Sequence, residues 1–231
     1  MTLRLVRPAL VLVMGLAPLS QGFGQAPACP AIDTLAPWVL VSRAWSNEAG
    51  VRWSNDSLRH VLLALVDRDQ ALRADFGTRA IDSSYVRSLT SQDSLLAVEM
   101  ETILARFGLP TRTMVGPAGT DAAMLIVQHN WSLQERVLAL AKALPPGEVS
   151  AEKVGMLEDR ILVHQGKPQR LGTQFTPGPD GVFRFPPVSD PETLDARRAA
   201  AGMPPMRQYV CLIEEAGLRV DRASLPPGVR P

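Results

Sequence analysis

The sequence predicts a mainly α protein, a single helical domain with one β-hairpin late in the chain. Three observations carry that expectation. Apolar residues recur in steps of three and four through most of residues 56–216. The periodic segments open at Ser, Thr, Asn or Asp and close at Gly or Pro. Period-two alternation flanks one strong turn sequence, T-P-G-P-D-G.

The first 28 residues read as a secretory leader. Arg4 and Arg7 form a positive start, Ala9 to Leu19 an apolar stretch too short to span a bilayer, and Ser20 to Ala28 a small and polar end. Export places the mature chain in the periplasm or outside the cell. Residues 29–55 form an N-terminal extension holding Trp38, Trp45 and Trp53, which either cover a core edge or stack on a ligand. Leu35 to Trp45 has the pattern of a short helix.

The first long helix runs from about Asp56 to Phe76, capped by Asn55 or Asp56 and stopped by Gly77. Its stripe is Leu58, Leu62, Leu65, Asp69, Leu72 and Phe76, so Asp69 stands where a leucine is expected. A polar, Ser-rich loop covers 78–90. A helix follows from Thr90 or Ser91 to Phe107, ended by Gly108 and Pro110. Thr111 to Gly119 reads as a turn-rich loop, and Thr120 as the cap of a helix from Asp121 to Asn130. Ser132 opens the next helix with Glu135 in a capping box, and that helix reaches Leu144. Ser150 caps another that ends at Gly166.

The hairpin arms are Pro168 to Phe175 and Val182 to Pro186, within about 168–186. A helix from Ser189 to Gly202 and a last one from Met206 to Glu215 complete the domain at 216. A loose tail, 217–231, ends the chain.

The charge balance, 24 Lys+Arg against 23 Asp+Glu, argues against a nucleic-acid partner, which needs a basic surface. The only cysteines are Cys29 and Cys211. In an oxidising compartment they either form a disulfide, leave Cys29 to carry a lipid anchor, or remain free. No membrane span is expected. The three histidines, His60, His129 and His164, are dispersed and form no metal-binding pattern, so neither a metal nor a cofactor is expected.

Asp69-Gln70-x-x-Arg73, Gln128-His129, Asp159-Arg160, Gln169, Gly172-Thr173-Gln174 and Arg197-Arg198 occur in that order. The ordered set resembles a bacterial family of unknown function over about residues 56–215. Leu171 departs from it, because tyrosine is usual at that point of the pattern. The resemblance implies a shared fold and a shared site, and no activity.

His129 is the leading acid/base candidate, since imidazole titrates near neutrality and the residue falls on an inward helix face. Asp69 or Asp159 can orient it as the third member of a triad does. Alternatively, Asp69 pairs with Arg73 or Arg160, and Asp159 with an arginine, as structural ion pairs. Arg160, Gln70, Arg73, Gln128, Gln169 and Gln174 are the ligand-binding candidates, with Gly172 allowing close approach beside Gln174. Two functional readings remain open. One is a small polar-ligand site with His/Asp acid–base chemistry, hydrolytic in its most concrete form. The other is a non-catalytic envelope scaffold that binds a protein and keeps its polar network for structure.

Overall fold

The computed structural model describes residues 29, 33, 35–74 and 82–229. The leader, 1–28, lies outside the described residues, as do Phe76, Gly77 and the side chain of Trp38. Among the described residues the fold is mainly α, with eight α-helices and a small three-stranded sheet late in the chain.

Helix α1 spans Pro37–Ser46 and α2 spans Asp56–Ala71. Asn55 caps α2 by accepting from Leu58 N at 2.9 Å. The α2 stripe points inward as its spacing requires, with Leu58, Leu62, Leu65 and Asp69 buried. Helix α3, Ser83–Phe107, starts within the segment expected to be a loop. Asp82 caps it, accepting from the N–H groups of Ser84 and Tyr85, and buried Tyr85 and Leu89 extend its apolar stripe toward the N-terminus.

Helix α4, Arg112–Gln128, takes in the other expected loop. Thr111 rather than Thr120 caps it, and Thr120 lies buried inside, its hydroxyl donating to Gly116 O at 3.0 Å. Gly116, at φ 71°, breaks α4 into two helical pieces. A Cβ there would stand 2.7 Å from Arg59 Nη1 and 3.0 Å from the Trp53 ring, so glycine is what lets α4 approach that pair.

Helix α5, Trp131–Ala143, begins one residue ahead of Ser132, and α6 spans Ala151–His164. The two are antiparallel. Trp131 stacks on His164 with ring centroids 3.6 Å apart, and Lys142 pairs with Glu158. Helix α4 runs the same way as α6: Asp121 feels the charge of Lys153 near the start of α6, and Trp131, just past the end of α4, meets His164 at the end of α6. The apolar core lies between α2, α3, α4, α5 and α6, around Leu62, Met100, Ala123, Val127, Leu133 and Leu157.

A second apolar cluster lies under the sheet, built from Phe175, Phe185, Leu194, Met206, Val210, Ile213 and Leu225. Strand β1, Thr176–Pro177, pairs antiparallel with β2, Val182–Arg184. The expected first arm, Pro168 to Phe175, forms no strand, because three of its backbone N–H groups turn to the Asp159 carboxylate. The tail is not loose: β3, Arg219–Val220, pairs parallel with β2, and Leu225 is buried. Helices α7, Leu194–Ala200, and α8, Met206–Glu215, complete the second cluster.

Cys29 and Cys211 form a disulfide, and Cys29 N donates to Glu215 Oε1 at 2.8 Å. The Cys29 sulfur is thereby bound to α8 and is not free to carry a lipid. No helix among the described residues is long and apolar enough to cross a membrane.

Candidate functional site

The last turn of α2 and the end of α4 bring Asp69 and His129 together. Asp69 is 0% exposed. Its Oδ1 accepts from Arg73 Nη1 at 2.6 Å and is 2.8 Å from His129 Nδ1; its Oδ2 accepts from Gln70 Nε2 at 2.6 Å. Arg73 also donates from Nη2 to Asp93 Oδ1 at 2.6 Å. Every Asp69 oxygen thus has a partner, as a buried carboxylate requires. A carboxylate oxygen accepts, so Nδ1 donates this bond, and in the neutral imidazole the lone pair then falls on Nε2. The His129 side chain is 6% exposed, and Nε2 is buried without a partner.

Sequence reasoning missed Asp93, which holds the far side of Arg73. It stands four residues after Leu89 and three before Leu96 on the buried stripe of α3. The same substitution of a carboxylate for an aliphatic residue that marks Asp69 marks Asp93. It is hidden when the helix is started at residue 90, because Leu89 is then lost from the stripe. Asp69, Asp93 and His129 present ligand atoms within 4.8 Å of one another, as a metal site would. Arg73 bonds to both carboxylates and holds the cation position between them.

Arg160, on α6, is close enough to Arg73 for the two charges to repel. Its Nε and Nη2 are buried with no hydrogen-bond partner. Burial, reinforced by the Arg73 charge, pushes its pKa down to about 9, so it stays a cation at neutral pH. It does not pair with Asp69. Gln128 is 1% exposed, and neither atom of its amide has a partner.

Asp159 is not brought to His129, and among the described residues no arginine side chain forms an ion pair with it. It is 0% exposed, and it accepts from Arg170 N at 2.6 Å, Leu171 N at 3.1 Å, and Thr173 N and Oγ1 at 3.0 Å each. Burial raises its pKa, against the pull of those donors. Gln169 is likewise a structural pin. It donates to Gln174 O and Pro186 O and accepts from Gln174 N, so both of its donors and its acceptor atom are engaged within the fold. Gln174 donates to Met156 O at 3.4 Å, and its Oε1 is unpartnered. Gly172, at φ 63°, makes the turn that the loop needs. Leu171 fills the space over Gly155, where an added Cβ would lie 2.2 Å from its Cδ1. Arg198 is buried and ties the same loop down, donating to Leu171 O at 2.6 Å and Pro204 O at 2.7 Å.

Trp45 and Trp53 pack against charged groups. Trp45 donates to Asp121 Oδ2 at 3.1 Å, and Trp53 lies under Arg59. Two surface clefts lie away from the His129 network, one lined by Phe185, Pro187 and Pro227, the other by Leu58, Val61 and Phe107.

A family model described as "Family of unknown function (DUF6624)" matches residues 56–221. No curated protein and no solved structure matches the chain.

Proposed function

We propose, for a chain that belongs to the DUF6624 family, an exported small-ligand protein whose site lies where α4 ends beside α6. In this reading Arg160 and Gln128 hold a polar ligand, His129 exchanges a proton with it through Nε2, and Asp69 orients the imidazole. Arg73, held on its far side by Asp93, keeps Asp69 in place. Proton transfer of this kind serves hydrolysis of a polar substrate. Export is supported by the leader-like N-terminus and the Cys29–Cys211 disulfide.

The observation that carries the reading is the set of buried, unpartnered atoms on Arg160, Gln128 and His129 beside a network that is otherwise fully bonded. Each such atom costs about 1–3 kcal/mol, and more for a charged group. Natural folds satisfy nearly all buried polar groups, so those left over point to a ligand or bound water. The test is native purification followed by mass spectrometry of the released small molecules, with His129→Ala and Arg160→Gln as controls. A molecule retained by the unaltered protein and lost from Arg160→Gln supports the site. Protein that carries nothing, and whose two variants behave as the parent in every assay, sinks it.

A second reading has its own support. The His129 imidazole is almost wholly enclosed, and Asp69, Arg73 and Asp93 close on one another. Such a network suits an envelope scaffold that binds another protein and uses buried charges to set helix register. Partner capture that survives His129→Ala in a folded protein favours it.

A further inference from the structure

Among the described residues, eight buried side-chain atoms lack a partner, and they belong to six residues: Asp121, Gln128, His129, Gln134, Arg160 and Gln174. These residues follow one line. Helices α4 and α6 run parallel, and two anchors fix their register. Asp121 is within reach of the Lys153 charge, and Trp131, just past the end of α4, stacks on His164. Interpolating between those anchors sets Gln128 opposite Arg160. The Gln174 amide reaches the Met156 carbonyl, one turn before Arg160 on the same face of α6. On this register the orphaned atoms of α4 and α6, with Gln174 beside them, fall along the seam between the two helices, and Gln134 stands on α5.

Their chemistry is graded along it. At the Arg160 end are two adjacent N–H donors, Nε and Nη2, which form one edge of the guanidinium and suit a bidentate oxyanion. At the other end is Asp121 Oδ1, an acceptor, whose sister oxygen is held by Trp45. Lys153, whose charge Asp121 feels, lies 3.8 Å from Glu152, which shares its charge. Between them sit the Gln128 amide, with donor and acceptor both open, and the Gln174 oxygen, an open acceptor whose amide nitrogen is spent on Met156 O and Thr173 Oγ1. Gln134 anchors the turn by donating to Gln128 O at 2.9 Å.

We infer that the seam is one elongated pocket for a ligand with a carboxylate at one end and an amine at the other, the carboxylate on Arg160 and the amine on Asp121. This rests on the reading of the His129 end as a ligand site and extends it by Asp121 and Gln174. Asp121 and Gln128 are two helical turns apart, so the ligand spans about 10 Å. An ω-amino carboxylate or a short peptide-like molecule has that form.

Calorimetric titration of the purified protein with acetate, and with ω-amino carboxylates of increasing length, tests it. Acetate binds weakly, and affinity rises to an optimum at intermediate length in the unaltered protein. Asp121→Asn removes that gain, a loss of roughly tenfold or more, and leaves acetate binding as it was. Arg160→Gln abolishes binding of the whole series. Acetate binding with no gain from the amine or from length overturns the two-ended pocket and leaves the His129-end reading standing. No binding by any carboxylate also overturns the two-ended pocket, while the His129-end reading falls only if native purification returns no retained molecule as well.

Discussion

Asp69 and Asp159 are both wholly buried carboxylates on inward helix faces, yet their surroundings differ in kind. Asp159 is held by backbone N–H groups of a loop and one hydroxyl. Those donors have no second protonation state, so the carboxylate acts as a clamp on residues 170–173. Asp69 is held by side chains, two of them ionisable, and its influence passes through His129 to an unpartnered Nε2. The contrast separates a carboxylate that shapes backbone from one that can shape chemistry. What matters is the donor opposite, not the burial.

The contrast is broken most directly by Asp159→Ala. It leaves the Arg170, Leu171 and Thr173 amides without their acceptor, and should cost about 3–5 kcal/mol of folding stability in urea titration. Hydrogen exchange at those three amides should rise with it. A loss below about 1 kcal/mol would mean that the clamp is dispensable. Asp69→Ala comes next, at about 2–3 kcal/mol, because Arg73 keeps Asp93 as a partner. The sharper measurement there is the imidazole tautomer by nitrogen NMR. His129 should carry its proton on Nδ1 in the parent and lose that preference in the variant.

Arg160→Gln should not lower stability and should raise it by about 1 kcal/mol or more, because the buried charge it removes has no partner to lose. A large loss would make Arg160 a structural residue like Asp159. The smallest effect is the pH dependence contributed by Asp121. Burial raises its pKa, with Lys153 pulling the other way. The folded protein then keeps a proton that the unfolded chain has released. This contribution to stability is complete below the ordinary aspartate range and is lost as pH rises through the raised folded value. Asp121→Asn should remove that fall, and stability curves of the two proteins over acidic pH check it.

Much of this was legible in the sequence because polar residues on an apolar stripe must meet something. That reasoning places Asp69 inward and offers Arg73, four residues on, as one partner beside Arg160 and His129. It puts His129 on an inward face as well. It cannot tell Asp69 from Asp159, because backbone N–H groups carry no residue signature and the loop that clamps Asp159 reads as a β-strand. Asp121 escapes for another reason. An acidic residue directly after Thr120 is explained by a helix start, and that start disappears once Thr111 caps α4 and Thr120 is internal. The tail is misread since its pairing with β2 is set by a partner far away in sequence.

The bond between Cys29 and Cys211 spans 182 residues of chain. A protease that cuts once anywhere inside that span leaves a nicked molecule of unchanged mass, apart from one added water. On a non-reducing gel such material migrates as one covalent species, and only a thiol reductant releases two fragments. Digestion followed without reductant would therefore understate how often the chain has been opened.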